Sequence, residues 1–285
     1  MSKELDEVVD RIVERVCARL RDEQAPPLPA VRGTWQDEAG ARLALGVGVA
    51  RLGCDGSDPL EGAPPSELAK LIDHTLLKPT AVRKDIERVC AEARKYGFAS
   101  VCLNTTWIGL AARLLQGSAV MPICVVGFPL GAMSSAGKAA ETRLAIAAGA
   151  AEIDMVLNIG ALKGGEYDAA LADIREVVAA AQGRPVKVIL ETSMLTRDEK
   201  IAASALCKAG GAAFVKTSTG FGGGGATVED VALIRAVVGP DMGIKASGGV
   251  KTAEDIKALV AAGATRVGAS ASVAIVTGGA GKGGY

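Results

Sequence analysis

Residues 141–158 read Glu-Thr-Arg-Leu-Ala-Ile-Ala-Ala-Gly-Ala-Ala-Glu-Ile-Asp-Met-Val-Leu-Asn. Glu141–Ala148 is Ala-rich and carries a helical pattern. Gly149 marks its end, because glycine accepts the left-handed backbone that closes many helices. Ile153–Leu157 then reads as a short strand. The same phrase recurs: Ala262-Gly263-Ala264 repeats Ala148-Gly149-Ala150, and Gly210-Gly211-Ala212 is a variant. Gly97, Gly149, Gly210 and Gly263 are expected to be left-handed caps.

On either side of this stretch, from Ser66 onward, short β-branched runs alternate with Ala-rich helical ones. Candidate strands are Leu71–His74, Ala99–Leu103, Ile123–Val126, Ile153–Leu157, Val186–Leu190, Ala213–Val215, Gly243–Ala246 and Arg266–Gly268. Helical patterns fall between them at Ala81–Tyr96, Thr106–Leu115, Glu141–Ala148, Tyr167–Ala181, Arg197–Ala209, Val228–Val238 and Ala253–Ala261. Eight strands with right-handed helical crossovers predict an α/β fold, a (β/α)8 TIM barrel. An open doubly wound sheet is the rival, but no Gly-x-Gly-x-x-Gly follows the first strand.

Upstream, Leu5, Val8, Val9, Ile12, Val13, Val16 and Leu20 form one helical stripe within residues 3–23, with charges opposite. Ala25-Pro26-Pro27-Leu28-Pro29 cannot continue a helix and reads as a stiff linker. Residues 34–65 are mixed and Gly-rich, with a short helix around Glu38–Arg51. The chain thus divides into a helix plus Pro-rich linker (1–33), an unassigned extension (34–65) and the barrel (66–285).

Composition excludes several classes. The 285 residues carry 32 basic and 32 acidic side chains, and only 3% are aromatic. Neither a nucleic-acid surface nor a membrane span is expected. A secretory leader is not expected either, because the first residues are charged and lack an apolar h-region. Six scattered cysteines without paired spacing read as reduced thiols in a cytosolic protein. With one histidine, His74, and no ligand cluster, no metal or other cofactor is expected.

In such a barrel, reactive groups belong at the C-terminal ends of strands. Asp154 shares a strand face with Glu152, Val156 and Asn158, which places a carboxylate inside the barrel. Lys216 and Lys245 lie in apolar runs on adjacent strands. Lysines that merely tie strands to a carboxylate are the structural alternative. Two buried lysines side by side disfavour each other's charge, so at least one amine should have a lowered pKa. A neutral amine is the nucleophile of Schiff-base chemistry. Asp154 can relay protons as the carbinolamine becomes an imine. Lys187, on the fifth strand, is a rival nucleophile by position.

Gly220-Phe221-Gly222-Gly223-Gly224-Gly225 follows the sixth strand, Gly248-Gly249 the seventh, and Gly268-Ala269-Ser270 the eighth. Glycines can simply turn the chain. Converging loops of this kind also present backbone N–H groups to phosphate. Gly220, Gly222, Gly248, Gly249 and Ser270 are therefore candidate phosphate contacts. The substrate would be a phosphorylated aldehyde or ketone.

Ile72-Asp73-His74-Thr75-Leu76-Leu77-Lys78-Pro79, Val126-Gly127-Phe128-Pro129-Leu130-Gly131, Glu152–Leu157 with Asn158-Ile159-Gly160-Ala161-Leu162, Phe214–Gly222 and Lys245–Val250 together resemble the deoxyribose-phosphate aldolases. The resemblance runs from about Glu67 to Ile275. It implies a metal-free class I aldolase that reversibly cleaves 2-deoxy-D-ribose 5-phosphate to D-glyceraldehyde 3-phosphate and acetaldehyde. It further implies Lys216 as the Schiff-base residue, Lys245 as the lysine that perturbs it, and Asp154 as the proton relay. Tyr285 matches a terminal tyrosine that folds back into the site in many members. Lys187 matches a supportive residue. The chain departs from the family after Asn104, at Phe221 where some members carry a lysine, and at Gly223.

The resemblance implies a homo-oligomer, a dimer or tetramer. Residues 3–23 with their tether also resemble peptides that direct enzymes into bacterial microcompartments, where a volatile aldehyde would be retained. A helix that packs on the barrel or associates with another copy would show the same stripe. Besides a retro-aldol lyase, the readings left open are a Schiff-base aldolase of other substrates and a non-catalytic scaffold. Retention of Lys216, Lys245 and Asp154 together argues against the scaffold.

Overall fold

Among the described residues the strands are only three to six residues long, and each runs parallel to its predecessor. A parallel neighbour can be reached only by crossing the face of the sheet, and helices make that crossing. The computed structural model describes Arg11 and residues 65–280. Helix α1 (Pro65–Ala69) leads into β1 (Ile72–Leu76), followed by α2 (Arg83–Tyr96) and β2 (Ser100–Asn104). A 3₁₀ turn, Thr105–Trp107, runs into α3 (Ile108–Leu114), then β3 (Met121–Val126) and α4 (Ser135–Ala147). Next come β4 (Glu152–Val156), α5 (Ile159–Lys163), α6 (Tyr167–Ala180) and β5 (Val186–Ile189). The 3₁₀ turn Thr192–Met194, α7 (Arg197–Ala209) and β6 (Phe214–Lys216) follow. Finally come α8 (Val228–Val238), β7 (Gly243–Ser247), α9 (Ala253–Ala261), β8 (Arg266–Ala269) and α10 (Ser272–Val276). The eight strands pair in sequence order, and β8 closes on β1 through Ile72 opposite Val267 and Asp73 opposite Gly268. The expected (β/α)8 barrel is the fold.

Most of the core lies between the barrel and its helices. Helix α2 shows why: Ile86, Val89, Cys90 and Ala93 are buried, the one-face spacing of an amphipathic helix. Each large apolar side chain so buried contributes about 1.5–3 kcal/mol before chain entropy is counted. Burial also pushes the Cys90 thiol up to about 11, consistent with an inert core cysteine. Helix starts are capped by side chains: Thr196, Thr227 and Thr252 accept from the backbone N–H three residues on. Lys138 on α4 and Asp173 on α6 form a fully buried pair at 2.6 Å, and the Lys138 ammonium also donates to Val156 O at 2.8 Å. That pair ties two helices to the end of β4.

Two expectations need correction. Helix α4 begins at Ser135, well before Glu141; the run Ser134-Ser135-Ala136-Gly137 is small and polar, and the Ser134 hydroxyl supplies the cap by accepting from Gly137 N–H. Gly210 is not a left-handed cap: its φ is −80°, and the positive φ falls on Gly211. Glycine is needed at 210 for a different reason, because a Cβ there would lie 2.5 Å from Ile174 Cγ2 on α6. Gly97, Gly149 and Gly263 do have positive φ. Gly210→Ala is expected to cost about 1–3 kcal/mol through overpacking, read as a lower denaturant midpoint; an unchanged midpoint would contradict this packing account.

Of the helix expected over residues 3–23 only Arg11 is described, in helical conformation, while residues 34–64 of the extension and Tyr285 lie outside the described residues. Among the described residues no helix is long and apolar enough to cross a membrane.

Candidate active site

Strand alternation decides which side chains enter the barrel, and here it sends in charges where barrels of this type are mostly filled by branched apolar residues. Asp73 enters from β1, Glu152 and Asp154 from β4, Lys187 from β5, Lys216 from β6, Lys245 from β7 and Arg266 from β8. None of the seven is more than 3% exposed. Register brings them together: Asp154 lies opposite Lys187, Lys216 opposite Lys245, and Lys245 opposite Arg266. The Thr217 hydroxyl donates to Ser247 O and accepts from Ser247 N–H, both at 3.0 Å. This clamp holds the ends of β6 and β7, and so the two lysines, side by side.

Asp154 is the hub. Its Oδ2 accepts from Lys216 Nζ at 2.9 Å and from Lys245 Nζ at 2.7 Å. Its Oδ1 accepts from Lys187 Nζ at 3.0 Å. Lys245 Nζ is also 2.6 Å from Asp73 Oδ2, and Lys187 Nζ contacts the Glu152 carboxylate. Arg266 bridges Asp73 at 2.7 Å and Glu152 at 3.4 Å, while the Ser100 hydroxyl donates to Asp73 at 2.6 Å. The Phe214 ring lies beneath Lys187 and Arg266, at 5.3 and 5.8 Å. Gly243 makes room for that ring, since a Cβ there would lie 2.3 Å from it.

The three lysines are not equivalent. Burial opposes charge on all of them. At Lys245 the carboxylates of Asp154 and Asp73 outweigh burial and hold the amine well above the usual lysine range. At Lys187, Asp154 and Glu152 also outweigh burial and raise the amine above the usual lysine range. Lys216 faces one carboxylate, already shared with Lys245; burial and the Lys245 cation together push its pKa below the ordinary 10.5. Asp154 is held well below the usual carboxylate range: burial raises it, but Lys187, Lys216 and Lys245 prevail. Counting charges gives the same answer. Three carboxylates face four cations, and an unbalanced buried charge is costly. Of the four cations, Lys216 is the one whose charge the cluster supports least.

The β1–β3 side of the lumen has the opposite character. Leu77, Cys102, Ile123 and Val125 form a separate buried cluster, with Phe128 packed against it. Phe128 meets Phe221, from the loop after β6, edge to face at 5.3 Å. The Lys216 amine thus has a charged, proton-carrying wall on one side and an apolar wall on the other. Such a site can attack a carbonyl, exclude bulk water and move protons within a few ångströms of the reacting atom.

Of the residues singled out in the sequence, Asp154, Lys216 and Lys245 meet in one cluster. Lys187 joins them, but in a protonated, doubly paired state that does not suit a nucleophile. Gly220, Gly222, Gly248 and Gly249 lie in the loops beyond β6 and β7. These loops touch, with Ala226 N–H donating to Gly248 O at 3.0 Å. Among the described residues, the amides of Gly222, Gly223, Gly248 and Gly249 donate to no protein acceptor. Ser270 follows β8 and lines a cavity of about 460 Å³ beside β1, together with His74, Lys78, Glu92 and Ala274. The lysine cluster does not line that cavity. The sequence reading left Asp73, Glu152 and Arg266 without roles. The signal was the parity of Glu152 with Asp154, and charged residues at Asp73 and Arg266 in strands flanked by apolar residues.

A buried amine whose charge is disfavoured by burial and by a second lysine, with a carboxylate between them in a (β/α)8 barrel, suits imine-forming carbon–carbon lyases. Comparison with known proteins agrees. The family model described as DeoC/LacD family aldolase matches residues 68–281. A deoxyribose-phosphate aldolase of Halalkalibacterium halodurans is 56% identical over 220 residues, covering 76% of this chain and 98% of the relative. One from Bdellovibrio bacteriovorus is 54% identical over 219 residues, covering 77% of this chain and all of the relative. Among solved structures, the tetrameric deoxyribose phosphate aldolase of Aeropyrum pernix is 32% identical with a TM-score of 0.71, covering 83% of this chain and 97% of that one. The protein is an aldolase. It belongs to the DeoC/LacD family.

Proposed function

We propose that the protein is a class I deoxyribose-phosphate aldolase in which Lys216 forms the Schiff base. The observation that carries the assignment of roles is the inequality of the three lysines: only Lys216 is pushed toward the neutral, nucleophilic form. Its amine attacks C1 of open-chain 2-deoxyribose 5-phosphate, giving a carbinolamine. Loss of water, with a proton supplied through Asp154 and the Lys245 ammonium, leaves the protonated imine. The C3 hydroxyl then gives up its proton to the Asp154 side of the lumen. The C2–C3 bond breaks, its electron pair passes toward the iminium nitrogen, and C3 leaves as the aldehyde of glyceraldehyde 3-phosphate. The enamine takes a proton at C2, and hydrolysis of the imine returns Lys216 and releases acetaldehyde. The apolar wall of Leu77, Ile123, Val125 and Phe128 suits the C1–C2 fragment, which becomes acetaldehyde.

The phosphate end is assigned to the loops after β6, β7 and β8, through the amides of Gly220, Gly222, Gly248 and Gly249 and through Ser270. The acceptor-free amides at Gly222, Gly248 and Gly249 support this reading. The test is substrate preference. Cleavage of 2-deoxyribose 5-phosphate should exceed that of unphosphorylated 2-deoxyribose by at least about 10²-fold in kcat/KM, the worth of a few charge-assisted hydrogen bonds. Equal rates would remove the phosphate from the account while leaving the imine chemistry standing.

A homo-oligomer is also proposed, in line with the tetrameric Aeropyrum pernix relative. Residues 1–33 lie outside the family match and are proposed to act apart from catalysis, in targeting to a compartment or in docking. Tyr285 is retained as a proposed contributor to proton transfer.

A further inference from the structure

We propose that Glu191, outside the lysine cluster, is a positioning residue that shapes the loop after β6 on which the substrate phosphate rests. The inference depends on the phosphate reading above. Glu191 lies two residues beyond the end of β5, is 1% exposed, and has a left-handed backbone with φ 56° and ψ 64°. Side chains with a β-carbon rarely adopt that conformation, and it persists only where the surroundings hold it.

The surroundings are the loop itself. Glu191 Oε2 accepts from Thr219 N–H at 3.2 Å and from the Thr219 hydroxyl. That hydroxyl accepts in turn from Phe221 N–H at 2.9 Å. Thr192 N–H donates to Thr217 O at 3.0 Å and keeps the two segments aligned. One carboxylate thus determines the path of the chain just beyond Lys216. The glycines fit against the same template. A Cβ at Gly222 would lie 2.6 Å from Glu191 Cδ, and one at Gly224 would lie 2.4 Å from Ser193 Cβ. Only a loop without side chains at those positions can lie this close, which leaves the Gly222 and Gly223 amides without protein acceptors.

Charge cannot be the reason for an acid here, because a carboxylate near a phosphate repels it. Glu191 Oε1 has no hydrogen-bond partner among the described residues. The contribution is geometric: the side chain accepts from a hydroxyl and an amide and so pre-shapes the turn.

The experiment compares wild type, Glu191→Ala, Glu191→Gln and Thr219→Val. Each is assayed with 2-deoxyribose 5-phosphate, with unphosphorylated 2-deoxyribose, and by borohydride trapping of acetaldehyde. Glu191→Ala is expected to raise KM for the phosphorylated sugar about tenfold, with kcat changed less than about twofold. Its kcat/KM for the unphosphorylated sugar and its trapping rate should stay at wild-type levels. Glu191→Gln, which keeps an acceptor oxygen, should restore KM, and Thr219→Val should shift it in the same direction as alanine. An unchanged KM, an equal loss on both sugars, or a glutamine variant as impaired as alanine would each overturn the proposal. If alanine prevents folding, the glutamine and valine variants still decide between geometry and charge. A wild type indifferent to the phosphate would defeat the phosphate reading and this inference with it, whereas retained preference in Glu191→Ala would defeat this inference alone.

Discussion

Lys216→Met is expected to lower kcat by at least about 10⁴-fold, the scale on which loss of a covalent nucleophile is felt. Methionine nearly fills the lysine volume and carries no charge. Three carboxylates would then face three cations, Lys187, Lys245 and Arg266, and the buried set remains balanced. The variant should therefore keep or slightly raise its melting temperature while losing turnover. Raising the pH cannot restore an amine that is absent, so the loss should be flat with pH. Turnover within tenfold of wild type would contradict the assignment, as would an inactive variant that is also unfolded.

Lys245→Met is expected to fail in a different way. In the wild type, Schiff-base formation needs neutral Lys216, so the rate rises with pH through the Lys216 pKa. That pKa is below 10.5 because burial and the Lys245 cation disfavour the ammonium. Removing Lys245 deletes the repelling cation and leaves Asp73 and Asp154 facing one cation fewer. Both changes favour protonated Lys216, so its pKa rises and the ascending limb of the pH–rate profile moves to higher pH. At pH 7 the loss should be about 10²–10³-fold, part of it from the missing proton donor. Part of that loss should be recovered as the pH is raised, which separates this variant from Lys216→Met. A limb that stays in place, or moves down, would show that Lys245 does not tune Lys216.

The contrast between these variants shows where sequence reasoning ends. The barrel was legible because its alternation is local: Ala-rich helical stretches, glycine stops and β-branched runs repeat from Ser66 onward, and α7, α8 and α9 begin and end where their patterns do. The first turns of α4 were not legible, because a capping hydroxyl at Ser134 stabilises a run that looks like loop. Strand parity placed Asp154 inside the barrel, and Lys216 and Lys245 stood out as lysines in apolar runs on adjacent strands. Which lysine has its charge disfavoured did not follow from the residues alone. That depends on how many carboxylates face each amine, and Asp73, Glu152 and Arg266 reach the cluster only through closure of β8 on β1 and the register across the lumen. Glu191 was hidden for the same reason: its partners lie on the loop after the next strand, and a positive φ at a glutamate leaves no trace in composition. The glycine loops were ambiguous and remain of two kinds. Gly222, Gly224 and Gly225 are required by close approach to Glu191, Ser193 and Gly248, whereas Gly223 and Gly249 have positive φ and open space around a notional Cβ.

The central claim is that Lys216, and neither Lys187 nor Lys245, forms the covalent bond to substrate. Borohydride reduction in the presence of 2-deoxyribose 5-phosphate or acetaldehyde, followed by peptide mass mapping, tests it directly. One reduced two-carbon adduct with acetaldehyde is expected, on the peptide containing Lys216, and none in Lys216→Met. An adduct on Lys187 or Lys245 would keep the imine chemistry and overturn the charge argument. The absence of any adduct in an enzyme that turns over would contradict the Schiff base itself.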